Sequence, residues 1–123
     1  MAFDWEEYLT LANSLKGNAD EASKRSAISR AYYCVFNRAR IFAIQRLGYI
    51  YREGEPSHQA MWSFFKGGLS GVGLNGKKIK DIRRKADYDD DFPDIDNDLI
   101  SAFRYAGNVL SYLSSAEKSQ NNS

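Results

Sequence analysis

ADEASKRSAISRAYYCVFNRARIFAIQRL, residues Ala19–Leu47, runs without proline or glycine until Gly48. About 29 residues of this kind build a helix of roughly 44 Å, enough to cross a small domain from end to end. Its middle is apolar on almost every side, with Ala27, Ile28, Ala31, Tyr32, Cys34, Val35, Phe36, Ala39, Ile41, Phe42, Ala43 and Ile44, which marks a helix packed by several neighbours. At about 100° per residue, Ser26, Arg30, Tyr33, Asn37 and Arg40 fall on a stripe roughly 80° wide. Polar groups on a buried helix need partners. Arg30, Tyr33 and Asn37 are therefore expected to face the IRRKADY segment, residues 82–88, either as internal hydrogen bonding or as one wall of a shared cleft, within one bundle or across a dimer.

The helices around this one follow from capping and periodicity. Phe3 to Lys16 reads as an amphipathic helix with Asp4 as N-cap and Glu7 as its capping-box partner, stopped by Gly17. Asn18 is expected to cap the central helix, with Asp20 and Glu21 at the positive end of its dipole. After the loop YIYREGEPS, a third helix runs from Pro56 or Ser57 to Phe65. GGLSGVGLNG, residues 67–76, holds five glycines in ten and is predicted to be a loop, since glycine is unfavourable inside a helix. A short fourth helix covers Lys77 to Ala86. Pro93 marks a break, and an aspartate among 94–96 caps a last helix ending at Leu113. Residues 114–123 read as a polar tail that frays. No strand shows period-two alternation, so the fold class is all-α. The expectation is an up-and-down antiparallel helical bundle of four main helices plus a short one, forming one domain over residues 1–113.

The 123 residues carry a net charge of +1, so partner preference rests on local patches instead of a global field. The N-terminal stretch MAFDWEEYLT is acidic, unlike a secretory leader, and no apolar run has the length of a membrane span. A cytoplasmic protein without membrane contact is expected. Cys34, alone and in the apolar middle of the central helix, reads as a small buried hydrophobe.

Several motifs suggest chemistry, and most are excluded by context. Gly71, Gly73 and Gly76 spell G-x-G-x-x-G, and residues 71–77 spell G-x-x-x-x-G-K. A phosphate loop needs a strand before it, and here an aromatic helix precedes. Asp94, Asp96 and Asp98 alternate like a calcium loop but lack its glycine and its final glutamate. One histidine, His58, cannot build a zinc site without other strong ligands, so no metal and no cofactor is expected. It remains a base that titrates near neutrality. Lys77, Lys78, Lys80, Arg83, Arg84 and Lys85 form a basic run suited to phosphate, with Lys77 and Lys78 opposing the dipole at the start of the predicted helix. Arg83 and Asp87 stand one turn apart and can pair, with Tyr88 next.

SAISRAYYCVFNRAR in a long second helix, a histidine opening the third, and IRRKADY closing the fourth resemble the HEPN superfamily (higher eukaryotes and prokaryotes nucleotide-binding), particularly its small stand-alone prokaryotic members. The resemblance spans roughly residues 3–113. It implies a helical bundle, homodimerisation, and a place in a toxin-antitoxin or phage-defence module that acts on RNA or partners a nucleotidyltransferase encoded nearby. Many active members are metal-independent ribonucleases with an arginine followed four to six residues later by histidine. Here neither Arg83 nor Arg84 is so followed. The catalytic roles then fall to Arg83, Asp87 and Tyr88, with His58 returning in space; RNA or phosphate binding falls to Arg30, Tyr33, Asn37, Arg84, Lys77 and Lys78. RNA cleavage needs a base for the 2′-hydroxyl proton and a cation for the phosphorane charge, and arginine supplies only the second. The alternative is a non-catalytic, antitoxin-like module that docks a protein partner through aromatic surface at Tyr49, Tyr51, Trp62, Phe64 and Phe65.

Overall fold

A computed structural model describes residues 2–53 and 56–121. Helix α2, Glu21–Arg46, is the axis, and its burial follows its sequence: Ile28, Tyr32, Val35, Phe36 and the alanines between them are buried around most of its circumference. Asp20, in extended conformation, caps it by accepting a hydrogen bond from the Ser23 N–H at 2.9 Å. Asn18, expected in that role, instead donates to the Ser23 hydroxyl at 3.4 Å. The cap must sit beside the first helical residue to reach the orphan N–H groups, and Asn18 is two residues too early. At the other end Gly48 takes a φ of 71°, and the Tyr49 N–H returns to the Ala43 carbonyl, so the chain leaves as its glycine predicts.

Helix α1, Glu6–Leu15, begins where the Asp4 carboxylate accepts from the Glu6 N–H at 3.0 Å. Helix α3, Ser57–Phe64, is short and follows Pro56. Helix α4, Ser70–Tyr88, overturns the expected glycine loop: after one 3-10 turn at Gly67–Leu69, the glycine-rich segment is helical. The reason is tertiary. A Cβ on Gly73 would stand well inside 3.0 Å of the Trp62 carbonyl oxygen, and one on Gly76 would overlap the Trp62 indole. Glycine here lets α4 lie against α3 at a distance no other residue allows, and the burial of the large Trp62 side chain offsets the intrinsic penalty. Because α4 starts at Ser70, Lys77 and Lys78 lie two turns inside it, and the dipole argument drawn from them lapses.

Helix α5, Ile95–Asn121, runs past the expected end at Leu113. Ala116 packs against the core and Glu117 accepts from Arg38 at 3.3 Å, so this part of the segment expected to fray is tied to α2. Contacts fix the directions. Ser29 meets Asp87 and Tyr33 meets Arg83, so α2 and α4 are antiparallel. Asn75 meets Asn108 and Lys85 meets Asp98, so α4 and α5 are antiparallel as well. Lys24 to Asp96 and Arg38 to Glu117 run α2 and α5 in the same direction. The result is an all-helical bundle around α2, with no strand among the described residues and no helix long and apolar enough to cross a membrane.

Candidate functional site

The polar stripe of α2 opens onto a cleft of about 480 Å³, lined by Trp5 and Tyr8 at α1, Arg30, Tyr33, Phe36 and Asn37 of α2, Tyr51 of the following loop, and His58 of α3. Arg30, Tyr33, Asn37 and His58, singled out from sequence, thus share one surface. The stripe does not all face IRRKADY, however. Tyr33 does, its hydroxyl accepting from Arg83 at 3.4 Å. Arg30 turns to α1, its guanidinium 4.8 Å from the Tyr8 ring centre and 5.8 Å from that of Tyr33. Asn37 donates to the Tyr33 carbonyl and accepts twice from Arg40, whose guanidinium lies 5.6 Å from the Tyr51 ring centre.

These contacts leave Arg30 and Arg40 charged and oriented, and no carboxylate among the described residues pairs with either. A cation held over an aromatic ring is attracted by the ring's quadrupole and keeps its N–H donors for another partner. Rigid aromatic support also reduces the entropy lost when a long side chain engages a ligand.

Behind the cleft wall lies a buried polar chain. Trp62 Nε1 donates to the Tyr32 hydroxyl at 3.2 Å, and that hydroxyl is 2.6 Å from His58 Nδ1. The Phe36 ring stacks on the imidazole at 4.0 Å. Burial and the nearby charges of Arg83 and Lys80 hold His58 below its ordinary pKa, favouring the neutral ring, while burial pushes the Tyr32 phenol well above its own. Burial likewise raises the Cys34 thiol to about 11, consistent with an unreactive core residue.

Arg83 is 7% exposed and reaches Asp87 and the Tyr33 hydroxyl, each at 3.4 Å. Its Nε has no hydrogen-bond partner among the described residues. Asp87 also accepts from Ser29 at 3.5 Å, so the predicted pair exists and joins a wider network. Tyr88 is 73% exposed, with Arg83 6.0 Å from its ring centre. The rest of the basic run does not converge. Lys78 lies over Tyr105 of α5, Lys80 donates to Gln59, Lys85 pairs with Asp98, Arg84 is exposed and Lys77 half-buried. A run of consecutive bases on a helix points round its circumference, so only Arg83 joins the network behind the cleft.

Sequence reasoning missed Trp5, Tyr8, Phe36 and Tyr51 as cleft walls and Tyr32 and Trp62 as a polar chain. The aromatic surface expected at Trp62 and Phe65 is absent, because both side chains are buried in the core. Comparison with family models, curated proteins and solved structures finds no match.

Proposed function

We propose that the chain is a HEPN-type helical module that binds RNA or nucleotide phosphate in the cleft between α1, α2 and α3. One observation carries the reading: Arg30 lines a cleft walled by aromatics, and Arg40 is held beside it against Asn37 and Tyr51 of that wall, with no carboxylate among the described residues to neutralise either. Guanidinium donors match phosphate oxygens, and aromatic side chains accept stacked bases, which is how unpaired nucleotides are bound without sequence readout. The occupant is accordingly single-stranded. A duplex would present only its backbone to the rings, whereas an unpaired segment offers both phosphates and base faces.

The test is titration of a fluorescently labelled, unpaired ribo-oligonucleotide, followed by anisotropy across a salt series, with solution mass measured alongside because the proposed assembly is a homodimer. Arg30→Ala should weaken binding and reduce the slope of log affinity against log salt by roughly 0.7, the amount expected for one phosphate contact to a single strand. Arg84→Ala, on the exposed side of α4, should leave the slope unchanged. Equal losses from the two variants would place the binding surface elsewhere. Incubation of the same oligonucleotide without metal reports cleavage directly.

A further inference from the structure

We infer that Tyr32 is a positioning residue that fixes His58 as a neutral Nε2–H donor toward the cleft, so that His58 meets an acceptor oxygen of the bound strand and takes no proton from it. The inference rests on the nucleic-acid reading for its ligand, and on hydrogen-bond accounting for the rest.

The Tyr32 side chain is fully buried, so its O–H must be satisfied within the protein. Trp62 Nε1 can only donate, and Arg83, 4.9 Å from the Tyr32 ring centre, can only donate. The acceptor within reach among the described residues is His58 Nδ1, at 2.6 Å. Tyr32 therefore receives a hydrogen bond from Trp62 and gives its own to Nδ1, which leaves the proton of the neutral imidazole on Nε2. Phe36 covers a ring face and Tyr32 takes the Nδ1 edge, so Nε2 is the polar atom His58 offers to the cleft it lines.

The alternative states are each disfavoured by an identifiable group. A proton on Nδ1 would aim two donors at the Tyr32 oxygen and strand the phenolic hydrogen. Moving that hydrogen off Tyr32 would create a buried phenolate, which burial strongly opposes. Charging the ring as well would place it among cations: Arg83 and Lys80 from α4 act on it, with Asp87 already engaged by Arg83. From α2 Tyr32 and Tyr33 face it, the uncharged Phe36 stacks on it, and Arg30 lines the same cleft as a further cation; Tyr8 and Tyr51 line that cleft too, and none of these groups brings a negative charge to the ring. An Nε2–H donor cannot accept the 2′-hydroxyl proton, so the cleft is built to hold a phosphate oxygen and not to activate the sugar.

Two readouts test this on the whole protein. Long-range proton–nitrogen NMR of the unmodified chain should show Nδ1 unprotonated and Nε2 protonated, persisting below the ordinary histidine pKa of about 6.5. Affinity for an unpaired ribo-oligonucleotide, whose phosphodiesters do not titrate in this range, should be flat between about pH 6 and pH 8, whereas a histidinium-dependent site loses its charge there. Tyr32→Phe should give a mixture of tautomers, a His58 that titrates closer to its ordinary value, and binding that becomes pH-dependent. A protonated Nδ1 in the unmodified protein, or affinity falling about tenfold across that pH range, would overturn the inference, and neither readout depends on the variant folding. The expected tautomer with no oligonucleotide bound at any pH would overturn the functional reading while upholding the role of Tyr32.

Discussion

Replacing single glycines of α4 and α5 by alanine separates packing from intrinsic propensity, because the same change is made in different surroundings. Inside a helix, Gly→Ala stabilises by about 1 kcal/mol when the methyl meets nothing. Gly107 is such a site, with no atom within 4 Å of an added Cβ. At 123 residues, 1 kcal/mol moves Tm by about 4 °C, so Gly107→Ala should melt about 4 °C higher. At Gly76 the new methyl would overlap the indole of Trp62, a fully buried side chain, and at Gly73 it would meet the Trp62 carbonyl, which moves only if α3 moves. Overpacking a tight core costs about 1–3 kcal/mol, and a rigid ring and a backbone atom place these sites at the upper end. Subtracting the propensity gain leaves a loss of roughly 2 kcal/mol, or about 8 °C in Tm, for each. Gly71 faces the Tyr112 ring, which is 43% exposed and can swing into solvent, so Gly71→Ala should fall between no change and the gain at Gly107. Thermal melts by circular dichroism at 222 nm rank the variants. If Gly73→Ala and Gly76→Ala melt at or above the unmodified protein, the close approach of α3 and α4 is wrong.

Three further perturbations address other links. Asp20→Ala should lower Tm while Asn18→Ala leaves it nearly unchanged, since only Asp20 accepts from the Ser23 N–H; equal effects in parallel melts would restore the cap to Asn18. His58 has a lowered pKa in the folded chain, so the unfolded state binds its proton first as pH falls; the stability it contributes is present above about pH 6.5 and is lost below it. Urea midpoints should therefore fall more steeply between about pH 7 and pH 5 for the unmodified protein than for His58→Gln, and parallel curves would contradict the shift. Truncation after Leu113 should lower Tm, because it removes Ala116 from the core and Glu117 from Arg38, and an unchanged melt would show that this end of α5 contributes nothing.

The all-helical class and the axis of the bundle were legible because Ala19–Leu47 states them locally: a run without breakers, apolar on almost every side of its middle, ended by a glycine that adopts the left-handed conformation it favours. The glycine-rich segment was not legible for the opposite reason. Its penalty belongs to the residue and can be read from composition, whereas the compensation belongs to Trp62, on another helix, and exists only once α3 and α4 touch. The end of α5 was missed in the same way, since its polar appearance hides Glu117 reaching an arginine far back in α2.

The candidate site divides along the same line. Arg30, Tyr33 and Asn37 announced themselves as a polar stripe on a buried helix, and His58 as the only histidine, because both signals are local. Tyr32 and Trp62 carried no such signal: each is a large aromatic residue, read as packing on α2 or as docking surface on α3, and neither reading gives it a polar role. What gives them a polar role is a pairing over 30 residues between Trp62 and Tyr32 and over 26 between Tyr32 and His58. The two failures are connected. Gly73 and Gly76 let α4 press on Trp62, and the indole so held donates to the Tyr32 hydroxyl that fixes His58 at the cleft. A bulkier residue at either glycine should therefore disturb the His58 nitrogen signals as well as the melting temperature, although neither glycine lines the cleft.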